Sequence, residues 1–281
     1  MSTQVPRLLT GLVDDAAVFP PGSAALPDAV RAHRAHRTAW YADLVGPLLV
    51  PASALPALAG LLDDTPIEVG VIGDLPIDQL DRALAEADRR IVVRQVEAAV
   101  GKRGEDPAPG LAALLARADG IDRYAEIPLT FGLMAALDTL ATARQAGQPV
   151  AAKFRTGGLA AELFPRPAEL AAVICACRDR DLPFKLTAGL HHAVRHLDPE
   201  TGFTHHGFGN VLAAVLVAAD GETVDTVAAR LASTDPLPVA ERVRADLAGD
   251  RPWWVGFGSC SVSEPLTDLI RLGLVNGGYQ Q

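Results

Sequence analysis

The sequence predicts an α/β fold and, within that class, a (β/α)8 or TIM barrel. Short apolar, β-branched runs alternate with alanine-rich helical segments along 281 residues, and eight such strands suit a closed parallel barrel. No G-x-G-x-x-G motif follows an early strand, which favours the barrel over an open doubly wound sheet. We therefore expect a single barrel domain over residues 1–281, with its active site at the carboxyl ends of the strands.

Glycines, prolines and aspartates separate the predicted elements. Strands are predicted at Gly11–Phe19, Gly46–Pro51, Ile67–Ile72, Ile91–Glu97, Tyr124–Pro128, Val150–Arg155, Pro183–Thr187 and Trp253–Gly258. Helices are predicted at Pro27–Ala39, Ser53–Leu62, Ile77–Ala87, Gly110–Ala118, Gly132–Gln145, Pro167–Arg180 and Val211–Ala218, with a further helical stretch between Gly221 and Gly249.

Composition limits the classes of function. Apolar residues make up 49% of the chain and charged residues 21%, which is typical of a soluble globular protein with a large core. The net charge of −9 disfavours nucleic acid or an anionic membrane surface as a partner. The odd number of cysteines, three, indicates reduced thiols. Because no membrane span or signal-peptide pattern is apparent, we expect a cytoplasmic protein. The sequence does not determine the oligomeric state and is compatible with a homo-oligomer.

Lysine is scarce in this chain. Of the 25 basic residues only three are lysine, namely Lys102, Lys153 and Lys185, and arginine fills the remaining positions. A position where arginine would serve equally well should mostly have become arginine. Lysine differs because its amine can lose a proton and attack a carbonyl carbon. The remaining lysines are therefore candidates for chemistry.

Two of these lysines lie near the ends of consecutive predicted strands. Lys153 opens the run Lys-Phe-Arg-Thr-Gly-Gly, in which Arg155 projects to the same side of the strand. Lys185 opens the run Lys-Leu-Thr-Ala-Gly, which ends at Gly189, one βα unit further along. Two ammonium groups held close together and partly buried lower each other's pKa, and a neutral lysine can form a Schiff base. The pattern equally suits lysines that bind a substrate anion or pair with acidic residues.

These paired motifs resemble those of class I aldolases of the deoxyribose-phosphate aldolase type. The resemblance covers residues 153–189 and implies a (β/α)8 barrel with the Schiff-base Lys153 on strand six. It implies that Lys185 on strand seven tunes the nucleophile. Phe154 and Arg155 depart from the family, which prefers small hydroxyl residues there. The whole chain also resembles bacterial barrel proteins that share its Lys, His-His and Phe-Gly-Ser-Cys motifs, a resemblance that assigns no reaction.

Acidic and polar residues mark other strand ends. Asp14 lies on the first strand, Arg94 and Glu97 on the fourth, and Glu126 on the fifth. Because a barrel interior is normally packed with branched apolar side chains, inward-facing polar residues there need a reason. The proton-relay aspartate of the aldolase family has no clear counterpart, although Glu97 and Glu126 fall at comparable strand ends. We predict that Asp14, Arg94 and Glu97 contact the substrate.

The last strand runs into a turn that contains Ser259, Cys260 and Ser261. Ser261-x-x-Glu264 is typical of a capping box at the start of a helix. Hydroxyl groups at a helix N-terminus form an anion site, and barrels often bind phosphate after strands seven and eight. We predict that these three residues, with Gly189, bind the anionic part of a substrate.

The loop over residues 190–210 concentrates five of the seven histidines. They are His191, His192, His196, His205 and His206. Such enrichment indicates acid–base catalysis, substrate binding or metal ligation, with loop packing as the alternative. No H-x-H or H-E-x-x-H spacing is present. We predict His191 and His206 as acid–base groups and His192 as a substrate contact, and we expect His33 and His36 to face solvent.

These observations predict a lyase of the aldolase type that acts on a small anionic carbonyl compound without a cofactor. In this scheme Lys153 forms the iminium, Lys185 lowers its pKa, and Glu126 or a loop histidine moves protons. Arg155 and the Ser259–Ser261 turn hold the anionic group. One alternative is an isomerase, epimerase or hydrolase that uses a divalent metal held by histidines and strand-end carboxylates. The other is a non-catalytic anion-binding barrel.

Overall fold

The computed structural model describes residues 5–117, 120–199 and 201–277, and its centre is a closed barrel of eight parallel strands. The strands in chain order are β1 (Val13–Asp15), β2 (Val45–Pro51), β3 (Ile67–Ile72), β4 (Ile91–Ala99), β5 (Asp122–Glu126), β6 (Val150–Arg155), β7 (Phe184–Thr187), β8 (His196–Leu197), β9 (Thr204–His205) and β10 (Trp254–Ser259). Strands β1 to β7 follow one another around the barrel and β10 closes it between β7 and β1. Strands β8 and β9 form a separate antiparallel pair. The predicted (β/α)8 class is confirmed.

Helices follow the strands in the alternation that the sequence predicts. They are α1 (Leu26–Thr38), α2 (Leu55–Ala59), α3 (Ile77–Ala85), α4 (Ala108–Leu115), α5 (Leu133–Gln145), α6 (Pro167–Arg178), α7 (Phe208–Ala219), α8 (Val224–Ala232), α9 (Pro236–Ala245) and α10 (Ser263–Arg271). The stretch predicted between Gly221 and Gly249 is two helices, and the predicted end of α4 at Ala118 lies outside the described residues. Across the described ranges, no helix has the length and apolar character needed to cross a membrane.

The first strand differs most from its prediction. Strand β1 covers only three residues rather than Gly11–Phe19. After Asp15 the chain turns, and the backbone N–H of Phe19 donates to the carbonyl oxygen of Ala16. The apolar run therefore continues as a loop, and Pro20 and Pro21 beyond it have no N–H with which to extend a strand ladder. This turn places Asp14 at the carboxyl end of β1.

The main core lies between the outside of the barrel and the helices. On β6 the outward-facing Ala152 and Phe154 are fully buried, and the Phe154 ring packs 6.2 Å from that of Phe184 on β7. Helix α7 is apolar on almost every side, because it lies between β10 and the pair α8 and α9. Its Phe208 ring stacks 5.5 Å from Phe257 of β10. The inside of the barrel has a different character and forms the site described below.

A close contact between α4 and the end of β4 gives a test of this architecture. Glycine inside a helix normally loses stability relative to alanine. At Gly110, however, an added Cβ would lie 2.0 Å from the carbonyl oxygen of Val100, a backbone atom that cannot move aside. We expect Gly110→Ala to lower the free energy of unfolding by about 1–3 kcal/mol in urea denaturation, in spite of its better helix propensity.

The matched control is Gly60→Ala at the end of α2, where the nearest atom to an added Cβ is 3.4 Å away. The φ angle of Gly60 is −68°, which alanine adopts without strain. This control should leave stability unchanged or raise it slightly. Equal effects of the two substitutions would contradict the described packing of α4 against the end of β4.

Candidate active site

The inside of the barrel holds a cluster of buried polar residues. The side chains of Asp14, Gln95, Glu97, Lys153 and Lys185 come from β1, β4, β6 and β7 and are all buried. Because an unpaired charge inside a protein carries a large desolvation penalty, a cluster of this kind requires close pairing.

Lys153 lies between two carboxylates. Its Nζ is 2.7 Å from Oε2 of Glu97 and 2.8 Å from Oε2 of Glu126. Glu97 lies on β4 and Glu126 at the end of β5, so three strands contribute to this contact. The Lys153 side chain is 4% exposed and that of its partner Glu126 is 20% exposed. Glu126 is therefore the more accessible of the two groups.

Lys185 occupies a deeper position with a different set of partners. Its Nζ donates to Oδ2 of Asp14 and, at 2.5 Å, to Oε1 of Glu97. The amide of Gln95 donates to the same two oxygen atoms, at 2.7 Å to Asp14 and 2.9 Å to Glu97. The ring of Tyr124 lies below the ammonium, with its centroid 5.1 Å from Nζ. This socket satisfies the donors of Lys185 and buries it almost completely.

These contacts form a continuous alternation of charge that we call the ion chain. In order of contact it consists of Asp14, Lys185, Glu97, Lys153, Glu126 and Arg155. The last link joins Nε of Arg155 to Oε1 of Glu126 at 3.2 Å. Three carboxylates and three cations alternate, so the ion chain is neutral as a whole and each buried charge has an opposite neighbour.

Strand register explains why these residues meet. Lys153 is aligned with Glu126 on one neighbouring strand and with Lys185 on the other, so that all three side chains enter the barrel at one level. Two glycines leave room for the cluster. A Cβ at Gly46 would lie 1.9 Å from Oδ1 of Asp14, and one at Gly70 would lie 2.8 Å from Nε2 of Gln95.

Burial and the neighbouring charges shift the pKa values of the residues in the ion chain. Burial opposes the ionisation of Glu97, but Lys153 and Lys185 outweigh it and lower the pKa of Glu97 to about 2. Burial favours the neutral form of each lysine, yet the neighbouring carboxylates raise the pKa of both Lys153 and Lys185 above the usual value of 10.5. The expected lowering of the Lys153 pKa by Lys185 is therefore not found, because Glu97 lies between the two ammonium groups. Burial raises the pKa of Asp14 despite its contact with Lys185.

A cavity of about 190 Å³ opens at the carboxyl ends of β4, β5 and β6. Glu126 and Arg155 line it, so the outer end of the ion chain faces the cavity and Lys153 lies directly beneath Glu126. Its walls are largely apolar, and Arg103, Glu162 and Glu169 complete the lining. This is the concave, partly apolar surface with a few converging polar groups that is typical of a small-molecule site.

The predicted histidines do not join the ion chain. Nδ1 of His191 lies 3.1 Å from Oε2 of Glu264 on α10 and 3.7 Å from Sγ of Cys260. His192 is bound in the same way to Asp268, at 3.2 Å. Both rings therefore attach the loop after β7 to helix α10.

Both ring nitrogens of His206 have partners within the protein. His206 is fully buried, its Nε2 donates to the carbonyl oxygen of Pro165 at 2.7 Å, and its Nδ1 accepts from Arg195. Burial lowers its pKa to about 4, so the ring is neutral at pH 7. The rings of His196 and His205 pack on each other with their centroids 5.5 Å apart. Within the described residues no group of three His, Cys, Asp or Glu side chains is placed to hold a metal ion.

Arg94 also lies away from the cavity. The pairing of β3 with β4 shifts after Val93, so that Arg94 is an extra residue before Gln95. Its side chain is exposed and forms an ion pair with Glu68 on the outside of the barrel. The expectation that His33 faces solvent is wrong, because His33 is buried and its Nδ1 lies 3.0 Å from Oδ2 of Asp15.

The turn after β10 uses its hydroxyl groups internally. Ser259 Oγ donates to the carbonyl oxygen of Ser261 at 2.8 Å, and Ser261 Oγ accepts from the N–H of Glu264 at 3.2 Å. This is half of the predicted capping box, since the Glu264 side chain contacts His191 instead. Gly189, with φ +75°, turns the chain after β7 where it passes close to Gly157. None of these residues is among those that line the cavity.

Sequence reasoning missed several members of the site, among them Tyr124 and Arg103. Tyr124 lies two residues before Glu126 on β5, and the period-two alternation of a strand indicates that both face inward. Arg103 lies in the loop after β4, and nothing in its local sequence distinguishes it from the many other arginines.

Comparisons with known proteins assign no function to this chain. No protein family matches the chain, and no curated protein matches it. The class that the fold defines is the (β/α)8 barrel, and this fold does not by itself determine a function.

Removal of the Lys185 ammonium group should show how much the pairing within the ion chain contributes to the free energy of unfolding. In Lys185→Met the side chain keeps its approximate length, but the carboxylates of Asp14 and Glu97 face each other without the ammonium between them. We expect a loss of about 3–5 kcal/mol in the free energy of unfolding, measured by urea denaturation, because an uncompensated buried charge remains.

Lys102→Met is the matched control, since Lys102 is exposed on the loop after β4. Its effect should stay within about 0.5 kcal/mol. A similarly small effect at Lys185 would show that the buried pairing contributes little to stability.

Proposed function

We propose that this protein is a lyase of the aldolase type that forms a Schiff base between Lys153 and a small carbonyl compound. The observation that carries the proposal is the position of Lys153 Nζ, 2.8 Å beneath a carboxylate that lines the cavity. An amine next to a cavity-facing proton acceptor is the arrangement that imine formation requires.

Lys153 is a better candidate nucleophile than Lys185. Lys185 is 1% exposed and lies among Asp14, Glu97 and the Tyr124 ring, with no lining residue of the cavity among its contacts. Lys153 touches Glu126, which lines the cavity. A substrate therefore reaches Lys153 once the Glu126 side chain turns aside.

Glu126 is the proposed proton acceptor. The raised pKa of Lys153 means that the resting amine is protonated, and an ammonium group cannot attack a carbonyl. Transfer of one proton from Nζ to Glu126 converts the ion pair into a neutral amine beside a neutral acid. Lys153 and Arg155 lower the pKa of Glu126, so this transfer is uphill in the resting site, although two neutral groups need less stabilisation in a buried site than two charges.

The chemistry then follows in balanced steps. The Lys153 amine adds to the carbonyl carbon, and the carbinolamine loses the former carbonyl oxygen as water, with protons supplied by Glu126. The resulting iminium accepts the electron pair of the bond between its α and β carbons as that bond breaks. The β-hydroxyl loses its proton to Glu126 and the β carbon leaves as an aldehyde, and the enamine on Lys153 then takes a proton at its α carbon to give the imine. Hydrolysis of the imine returns the amine, and addition of the enamine to an aldehyde is the reverse direction.

Lys185 has a positioning role in this scheme. It holds Glu97 from the inner side, together with the amide of Gln95, so that the second oxygen of Glu97 faces Lys153. A fixed negative charge at this point stabilises the iminium, which carries the positive charge formerly on the ammonium group.

Borohydride trapping tests the proposal directly. The protein is incubated with a panel of small aldehydes and ketones, reduced with borohydride, and digested for peptide mass spectrometry. We expect a reduced adduct on Lys153 and none on Lys185 or Lys102, and Lys153→Arg should abolish it. The absence of any lysine adduct across the panel would refute imine chemistry.

Trapping should depend on pH in a defined direction. Because the pKa of Lys153 is raised above 10.5, its neutral fraction increases as the pH rises and is still small at pH 9. We expect the rate of adduct formation to increase steadily between pH 6 and pH 9, measured at constant ionic strength. A rate that levels off near pH 7 would mean that the nucleophile has a lowered pKa, against the described contacts.

Replacement of Glu126 should slow both amine activation and the later proton transfer. In Glu126→Gln the proton acceptor of Lys153 is lost, so trapping should slow although one carboxylate that raises the pKa of Lys153 is also gone. Proton exchange at the carbon next to the imine, followed by deuterium uptake in D₂O, should slow about 10²–10⁴-fold because the general base is gone.

Glu68→Gln is the control, since Glu68 also pairs with an arginine but lies on the outside of the barrel. Both measurements should stay at the level of the unmodified protein. Trapping at the unmodified rate in Glu126→Gln would contradict the assigned role of Glu126 as the acceptor of the Lys153 proton.

A further inference from the structure

The carboxylate of Glu126 occupies a notable position between two cations. One oxygen lies 2.8 Å from Nζ of Lys153 and the other lies 3.2 Å from Nε of Arg155. A single carboxylate therefore spans the nucleophile and the arginine. A compound whose carboxylate and carbonyl group are directly adjacent has the short span that a group contacting both cations requires.

Arg155 is placed to bind an anion that enters the cavity. It lies two residues after Lys153 on the same side of β6, and its side chain is 44% exposed. Its Nε is bound to Glu126, whereas in the described part of the chain neither terminal nitrogen has an acceptor. Nε and a terminal nitrogen form a planar fork that binds a carboxylate with two parallel hydrogen bonds once Glu126 leaves Nε.

The cavity limits the size and character of the rest of the ligand. Its volume of about 190 Å³ is below the about 300–1,000 Å³ of pockets that hold drug-sized ligands. Its apolar wall consists of Ile127, Pro128, Leu129, Leu163 and Pro165, which suits a short aliphatic group. Of the other lining acids, Glu169 is already paired with Arg166 at 3.0 Å.

We propose that the substrate bound by this site is a short 2-oxo acid, with its carboxylate on Arg155 and its keto carbon at Lys153. This inference rests on the proposed function. As the substrate carboxylate takes the place of Glu126 on Arg155, Glu126 is released to accept the proton of Lys153. Binding of the substrate carboxylate to Arg155 therefore also activates the Lys153 amine, because it frees Glu126 to accept a proton.

A sugar phosphate fits the same site poorly. Its phosphate is separated from the carbonyl carbon by several bonds, so it does not present a charge directly beside the carbon that reacts with Lys153. The turn after β10, where a distant phosphate was expected, has its Ser259 and Ser261 hydroxyls bound internally. The observed geometry thus favours a charge adjacent to the reacting carbon.

A pair of ketones of similar size tests this inference. Pyruvate and acetone share a methyl ketone and differ in the carboxylate. Glyceraldehyde 3-phosphate and glyceraldehyde form the corresponding pair for phosphate. Rates of borohydride-trapped adduct formation on Lys153 are measured for all four, each normalised to its reaction with free N-acetyl-lysine methyl ester. We expect the normalised rate for pyruvate to exceed that for acetone at least tenfold, and no such gain from phosphate.

Variants of Arg155 identify the group that recognises the carboxylate. Arg155→Gln should reduce the pyruvate-to-acetone ratio about 10- to 100-fold, because a charge-assisted hydrogen-bonded contact is lost. Acetone trapping reports whether the variant is folded and its lysine is intact. Arg155→Lys keeps the charge without the fork and should recover only part of the ratio. Arg94→Gln, on the outside of the barrel, should leave the ratio unchanged.

The outcomes distinguish the two proposals. Adducts on Lys153 with equal normalised rates for pyruvate and acetone, or a preference for the phosphorylated aldehyde, would overturn the 2-oxo acid inference and leave Schiff-base chemistry standing. A pyruvate preference that survives Arg155→Gln would overturn the assignment of Arg155. Absence of adducts with all four compounds would refute the proposed function itself.

Discussion

The carboxylate of Glu97 lies between the ammonium groups of Lys153 and Lys185 and contacts both of them. Two buried cations on adjacent strands would repel each other strongly, and this anion converts the repulsion into two ion pairs. The rest of the site depends on it. Strand β4 must present Glu97 at the level of the two lysines, and Gly46 and Gly70 must leave the space that the neighbouring polar side chains occupy.

The fold could be predicted because its signal is repetitive. Alternating apolar strands and helices occur along the whole chain, so a misplaced boundary such as that of β1 does not change the class. The positions of Lys153, Glu97 and Glu126 at strand ends could be predicted for the same reason. Their partners could not, because pairing depends on the register of non-neighbouring strands. Arg94 illustrates the limit, since one extra residue in β4 moves it to the outside.

The histidines show why composition is a weaker guide than position. Five of them within one loop suggest chemistry, but His191 and His192 bind acidic residues of α10, and His206 binds a backbone carbonyl. Those partners lie far away in the sequence, and nothing in the loop indicates them. The lysines were more informative because strand ends of a barrel converge on one face, whatever the loops do.

The rim of the barrel is divided into two arcs with different properties. The loops after β4, β5 and β6 border the cavity, whereas those after β7 and β10 are bound to α10 and to each other. The charged groups that would react lie beneath this rim, on strands. Mutations in the first arc can therefore change which molecules are admitted without rebuilding the buried charges. Descendants of this chain could acquire new ligands by altering one arc while they inherit the buried ion chain intact.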